Sequence, residues 1–199
     1  MKRKISFLTA LLLSTAFLTS ASFAAAEPAG QTCVRDACFD KTREISGTQV
    51  SLKGAKLFEY LMFDVYTAAF YAPDGARSSA DVLADVPKSL VLHYLRDIKP
   101  ADMNRAADKM ILKNPDNNVS ALRERIDALA AAYEKVGKGD RYELRYEPGK
   151  GTTLLLNGKE KITVPGADFA AAYFGIWVSE VPINRQLRDT LLGIEPARA

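Results

Sequence analysis

Two periodicities divide this chain. Residues 44–52 read as strand, turn and strand around Gly47, and residues 57–71 form a stretch rich in Phe, Tyr, Val and Leu, too apolar for an edge strand. Pro73-Asp74-Gly75 carries a turn signature, and residues 89–97 are again apolar and β-prone. Helical spacing follows. Pro100 suits a first helical position, and Met103, Ala106, Ala107, Met110 and Ile111 recur on one stripe until residues 114–118 break it. Ser120 is a candidate N-cap for a second helix carrying Leu122, Ile126, Leu129, Tyr133 and Val136, with Gly137 as its C-terminal stop. Residues 141–147 alternate strictly, with Tyr142, Leu144 and Tyr146 on one face. A Pro-Gly turn leads to residues 152–156, and Asn157-Gly158 predicts a hairpin into residues 159–164. Two helices close the chain, over residues 167–178 (Phe169, Tyr173, Phe174, Trp177) and 184–192 before Gly193. Consecutive hairpins with clustered helices predict an α+β fold, a large antiparallel sheet with helices on one side.

Charge at first suggests an acidic partner, since the 199 residues carry 27 Lys+Arg against 24 Asp+Glu. Three of those 27 are Lys2, Arg3 and Lys4, and the first 26 residues contain no acid, leaving 24 against 24 over residues 27–199. The basic start, the apolar run over residues 5–17 and Ala24-Ala25-Ala26 together predict a secretory signal peptide cleaved after Ala26. The expected protein is periplasmic or secreted, bacterial by the short signal, and has no stable membrane insertion after cleavage. A charge-balanced chain gives no support for nucleic-acid binding. Export makes a local disulfide the leading reading of Cys33 and Cys38; a redox pair normally has two intervening residues, and a metal site would need more Cys or His ligands. Residues 27–43 are read as a disulfide-stapled segment and 44–199 as the single folded domain.

Other motifs weaken on inspection. Gly149-Lys150-Gly151-Thr152 lacks phosphate-loop spacing and joins strand to strand. Asn118-Val119-Ser120 fits a glycosylation sequon but serves equally as a helix-capping segment, and Arg123-Glu124-Arg125 lies opposite an apolar stripe. No G-x-S-x-G is present, and His93 is the single histidine. What remains is polarity on the most apolar strands: Asp64, Tyr66 and Thr67 in one, His93, Tyr94, Arg96 and Asp97 in the other. Such groups must pair or line a cavity. Alternation places Tyr94 and Arg96 on one face and His93 on the other.

The segments 63–71 and 92–98, then Lys138-Gly139-Asp140, residues 146–152, Asn157-Gly158, residues 165–170 and 174–179 and the terminal Leu191-Leu192-Gly193 resemble, in order, the bacterial chalcone isomerase-like proteins. The resemblance implies a chalcone isomerase-like fold with a ligand cleft between sheet and helices. It places Tyr66 at a strand Thr of the plant enzymes, Met103 and Met110 near a helical Tyr and Asn, and Gly175 near a C-terminal Thr, while their early-strand Arg has no clear counterpart and Lys56 is the best the segment offers. The pattern is loss of the catalytic set. Relatives of this fold bind fatty acids without catalysis, and some bacterial ones are associated with haem.

The expected function is a non-catalytic binder of a small apolar or amphipathic, fatty-acid-like molecule and no cofactor. Tyr66 and Arg96 would fix the head group, Met103, Met110 and Trp177 would line the tail, and Tyr94 belongs to the same ligand-binding set. The alternatives are an intramolecular lyase using Tyr66 and Lys56, and haem binding through His93.

Overall fold

The computed structural model describes residues 30–194, so the segment read from sequence as a signal peptide lies outside the described residues. They form nine strands and five helices. A two-stranded hairpin, β1 (Gln31–Val34) and β2 (Ala37–Asp40), comes first. It is followed by β3 (Thr42–Ile45), β4 (Thr48–Tyr60), β5 (Phe63–Ala72), α1 (Ser79–Leu83), β6 (Lys88–Tyr94), α2 (Pro100–Lys113) and α3 (Val119–Ala131). The described residues end with β7 (Arg141–Glu147), β8 (Gly151–Leu156), β9 (Lys159–Val164), α4 (Ala167–Val178) and α5 (Arg185–Leu191). Strands β3 to β9 make one seven-stranded antiparallel meander in chain order, as the run of hairpin signals predicts. The apolar stretch 57–71 is two strands, because Leu61 and Met62 both take left-handed backbone and fold it on itself.

Period-two alternation gives the sheet two unlike faces. Phe58, Tyr66, Ala68, Phe70, Leu90, Leu92, Tyr94, Tyr142, Leu144, Tyr146 and Leu154 pack beneath the helices in the main core. α4 is apolar on nearly every side and lies buried within it. α5 reaches β4 because Gly54 has no side chain; a Cβ there would overlap the Thr190 carbonyl. On the other face Val50, Ala69, Tyr71 and Val91 form a smaller cluster with Ala37 and Phe39 of the β1–β2 hairpin. Cys33 and Cys38 stand directly opposite in that hairpin, Cα atoms 4.0 Å apart, and are joined as a disulfide.

Three boundaries differ from the sequence reading. α3 is capped by Asn118, whose side chain accepts from the Ala121 N–H, two residues before Ser120. It stops at Ala131, so Tyr133 and Val136 fall after it; Val136 bridges to Ile98 instead. The short α1, set by a Ser78–Asp81 capping box, carries too few apolar positions to show a period. β6 ends at Tyr94, and the alternation that put Arg96 beside it ends there too.

Candidate functional site

The helix-covered face gathers aromatic side chains from five elements. Phe58 on β4 stacks on Tyr66 of β5 at 4.9 Å between centroids. Tyr66 meets Tyr94 of β6 edge-on at 5.9 Å, and Tyr94 meets Tyr142 of β7 at 6.2 Å. These contacts follow the strand register, in which Phe58 faces Tyr66 and Tyr66 faces Tyr94. Tyr133, after α3, packs edge-on to Tyr142. Tyr173 and Trp177 come down from α4 one turn apart, hence on one side of the helix.

Polar atoms in this cluster find each other sparingly. Trp177 Nε1–H donates to the Tyr66 hydroxyl at 3.0 Å, and the Tyr133 and Tyr173 hydroxyls are bonded at 3.0 Å. The Tyr94 hydroxyl meets only the Met103 sulfur, 3.9 Å away, a weak acceptor. Asn104 on α2 gives its amide N–H to the Ala130 carbonyl, while its Oδ1 is buried without a hydrogen-bond partner. Burial pushes the phenols of Tyr66, Tyr94, Tyr133 and Tyr173 above their ordinary range. They are therefore neutral donors, unable to act as bases near neutrality.

A cleft of about 240 Å³ opens between α2 and α3 and is floored by Tyr173, with Asn104, Ala107, Ile126 and Ala130 in its walls. A larger one, about 550 Å³, lies elsewhere, between α1, the α2–α3 loop and α4, and is lined mostly by short polar side chains such as Ser78, Asn114 and Asn118. Neither touches Lys88, which is buried at the far end of the aromatic face. Its ammonium donates to the Ala84 carbonyl at 2.8 Å and lies over the Tyr146 ring, and burial lowers its pKa to about 8. Tyr146 donates to Asp85 beside it.

Of the residues singled out from sequence, Tyr66, Tyr94, Met103 and Trp177 come together, and Met110 is buried in the same core. Lys56 is on the same face as Phe58, opposite Ala68, and half-buried. Arg96 does not join them. It is exposed and stacks over Phe63, 4.7 Å from the ring centroid, because the strand has ended. His93 stands on the opposite face. Its Nδ1 accepts from Arg141 Nε–H at 3.2 Å, and Nε2 lies 3.7 Å from Asp36 in the β1–β2 turn. Burial and the Arg141 charge hold His93 below its ordinary value, which keeps it neutral. The sequence reading treated Tyr133, Tyr142 and Tyr173 as packing residues. The available signal was the choice of Tyr over Phe at core-facing positions, since each buried phenol needs a partner.

Comparison with known proteins gives one family and one fold. The profile of the family described as chalcone isomerase-like matches residues 31–193. The crystal structure of a fatty-acid binding protein of Arabidopsis thaliana superposes with a TM-score of 0.63 at 14% identity, covering 82% of this chain and 96% of that one. No curated protein matches.

Proposed function

Because the chain belongs to the chalcone isomerase-like family, we propose that it binds a fatty-acid-like amphipathic molecule between helices and sheet and does no chemistry on it. The observation that carries this reading is the composition of the aromatic cluster around Tyr66, Tyr94 and Tyr173: neutral phenols, an indole and a thioether, with the buried cation of that face, Lys88, at its far end over Tyr146. Such a set can orient a head group by hydrogen bonds and cover an acyl chain, with Tyr94, Tyr173 and Asn104 holding the head and Met103 and Met110 yielding to the tail. The likeness to a plant fatty-acid binding protein supports the same direction. The cleft at Tyr173 is smaller than the roughly 300–1,000 Å³ of ordinary ligand pockets, so entry requires α2 and α3 to part.

The lyase reading has less behind it, since the Tyr66 hydroxyl is already engaged by Trp177. Haem ligation by His93 does not fit the aromatic face, because the imidazole lies across the sheet under the N-terminal hairpin. We further propose that residues 1–26 direct export, to which the Cys33–Cys38 disulfide is suited.

Trp177 is the single tryptophan of the chain and reports on the cluster directly. Titration with oleate should change its emission saturably at micromolar concentration, and native mass spectrometry should find lipid carried through purification. Unchanged emission together with a lipid-free protein overturns the proposal.

A further inference from the structure

The meander contains three two-residue hairpin turns with both turn residues in left-handed backbone. Ser46-Gly47 has φ of 49° and 74°, Asn157-Gly158 has 50° and 79°, and Leu61-Met62 has 47° and 67°. The first two use the chemistry this turn favours, a small polar residue followed by glycine. The third places two bulky apolar side chains where a Cβ is strained. Folding does not repay them. Leu61 is 71% and Met62 97% exposed, and their neighbours Tyr60 and Phe63 are 63% and 58% exposed. Four consecutive large apolar side chains thus project from a strained tip of the longest hairpin.

Charges bound this tip on every side. Glu59 precedes it, Asp64 follows and pairs with Arg35 at 3.2 Å, and Arg96 lies over the Phe63 ring. The apolar part is two residues per strand, a reach of about 7 Å. That matches the roughly 5–10 Å by which interfacial segments enter a bilayer. A convex four-residue tip is far short of the roughly 800 Å² per partner of a stable protein interface. Tyr and Phe at its base suit the headgroup level. The described helices contain none long and apolar enough to cross a membrane, so the contact is peripheral.

We propose that the β4–β5 tip is a membrane-docking element that seats Tyr60, Leu61, Met62 and Phe63 in the interface of a phospholipid bilayer. Its position gives the contact a purpose. The next core-facing pair along the hairpin is Phe58–Tyr66, the start of the aromatic cluster. Leu95 N–H bonds to the Val65 carbonyl at this same end, and α2 begins after Lys99, four residues later. A docked tip therefore brings the bilayer to the end of the sheet where an acyl chain would pass beneath α2.

Flotation of the purified protein with phosphatidylcholine liposomes, with and without phosphatidylglycerol, tests this. Binding is expected in both, with little loss in high salt. The variant L61N/M62G converts the tip to the turn chemistry found at Asn157-Gly158, so it should melt no lower than the parent while its vesicle partition falls about tenfold or more. Phe63→Ser should lower partition in the same direction. Undiminished flotation of L61N/M62G, binding that needs phosphatidylglycerol and vanishes in salt, or no flotation of the parent each overturn the proposal. So does a concentration-dependent dimer that the double variant abolishes, which would make the tip a contact between copies. The liposomes carry no free fatty acid, so the outcome stands apart from that of the oleate titration.

Discussion

The two faces of the seven-stranded sheet are built from the same strands by the same alternation, yet they are held by different forces. Beneath the helices, β5 to β8 present mainly aromatic and aliphatic side chains, with a few neutral hydroxyls and one buried ammonium, that of Lys88 at the far end. Beneath the β1–β2 hairpin the same strands present Thr67, Ser89, His93, Arg141, Glu143 and Arg145. There Glu143 accepts from Ser89 at 2.9 Å and pairs with Arg43 and Arg145 at 3.3 and 3.1 Å, while Arg43 caps the Tyr71 ring. The hairpin is seated by Phe39 below Arg141 and by that arginine's bond to the Cys38 carbonyl. One face carries most of the hydrophobic stabilisation and the other positions an N-terminal strap.

That difference sets the largest expected effect. Phe174 is fully buried on α4 against Phe70, so Phe174→Ala should cost about 3–5 kcal/mol, read from urea denaturation midpoints at unchanged slope. A loss below about 2 kcal/mol would show that the helical layer is not the main core. Replacing Cys33 and Cys38 together by serine should cost about 2 kcal/mol, from a short closed loop. Hydrogen exchange should then rise in β1 and β2 while β5 to β8 remain protected. Loosening that spreads into β6 would mean the strap supports the sheet, and the contrast between faces would fail.

The fold was largely legible because its signals are local. Asn157-Gly158, the 141–147 alternation and the 167–178 segment, apolar but for Asp168 in its first turn, each declare an element by themselves. The site was only half legible. Tyr66, Tyr94, Met103 and Trp177 stood out as polar or pliable groups in apolar runs and do come together, but which of them meet depends on register. Arg96 was misplaced because two residues of alternation were extrapolated past a strand end that no sequence signal marks. Leu61-Met62 hid a turn inside an apolar run, since its residue types argue against the backbone they adopt. The buried Lys88 was missed because its partners, the Ala84 carbonyl and the Tyr146 ring, come from the loop before it and from another strand.

The polar face also differs from the aromatic one in its response to pH. Burial, Arg141 and Lys138 lower the pKa of His93, with Asp36 opposing them. The unfolded chain therefore binds this proton more readily than the folded one. Stability is full above the ordinary value of 6.5 and is lost as pH falls through it toward the lower folded value. Carboxylates such as Asp168, held down to about 2 by Arg125, act only in stronger acid. Urea midpoints should accordingly drop between pH 7 and pH 5 in the parent and stay level in His93→Gln. An equal drop in both would assign the slope elsewhere.

The smallest stability effect makes the sharpest test of what the aromatic face is for. Tyr66→Phe leaves the Trp177 N–H buried without its acceptor and should cost about 1–2 kcal/mol, the ordinary penalty for an orphaned donor. Tyr94→Phe removes a hydroxyl whose contact is the Met103 sulfur at 3.9 Å, so its cost should stay within about 0.5 kcal/mol. A core built only for packing has no reason to keep that phenol. If the Tyr94 hydroxyl serves a ligand head group, Tyr94→Phe should weaken oleate binding about tenfold, as loss of one hydrogen bond to a charged group does, while the melting temperature stays put. Unchanged affinity beside unchanged stability would remove Tyr94 from the site and leave head-group contact to Tyr173 and Asn104, where the α2–α3 cleft already reaches.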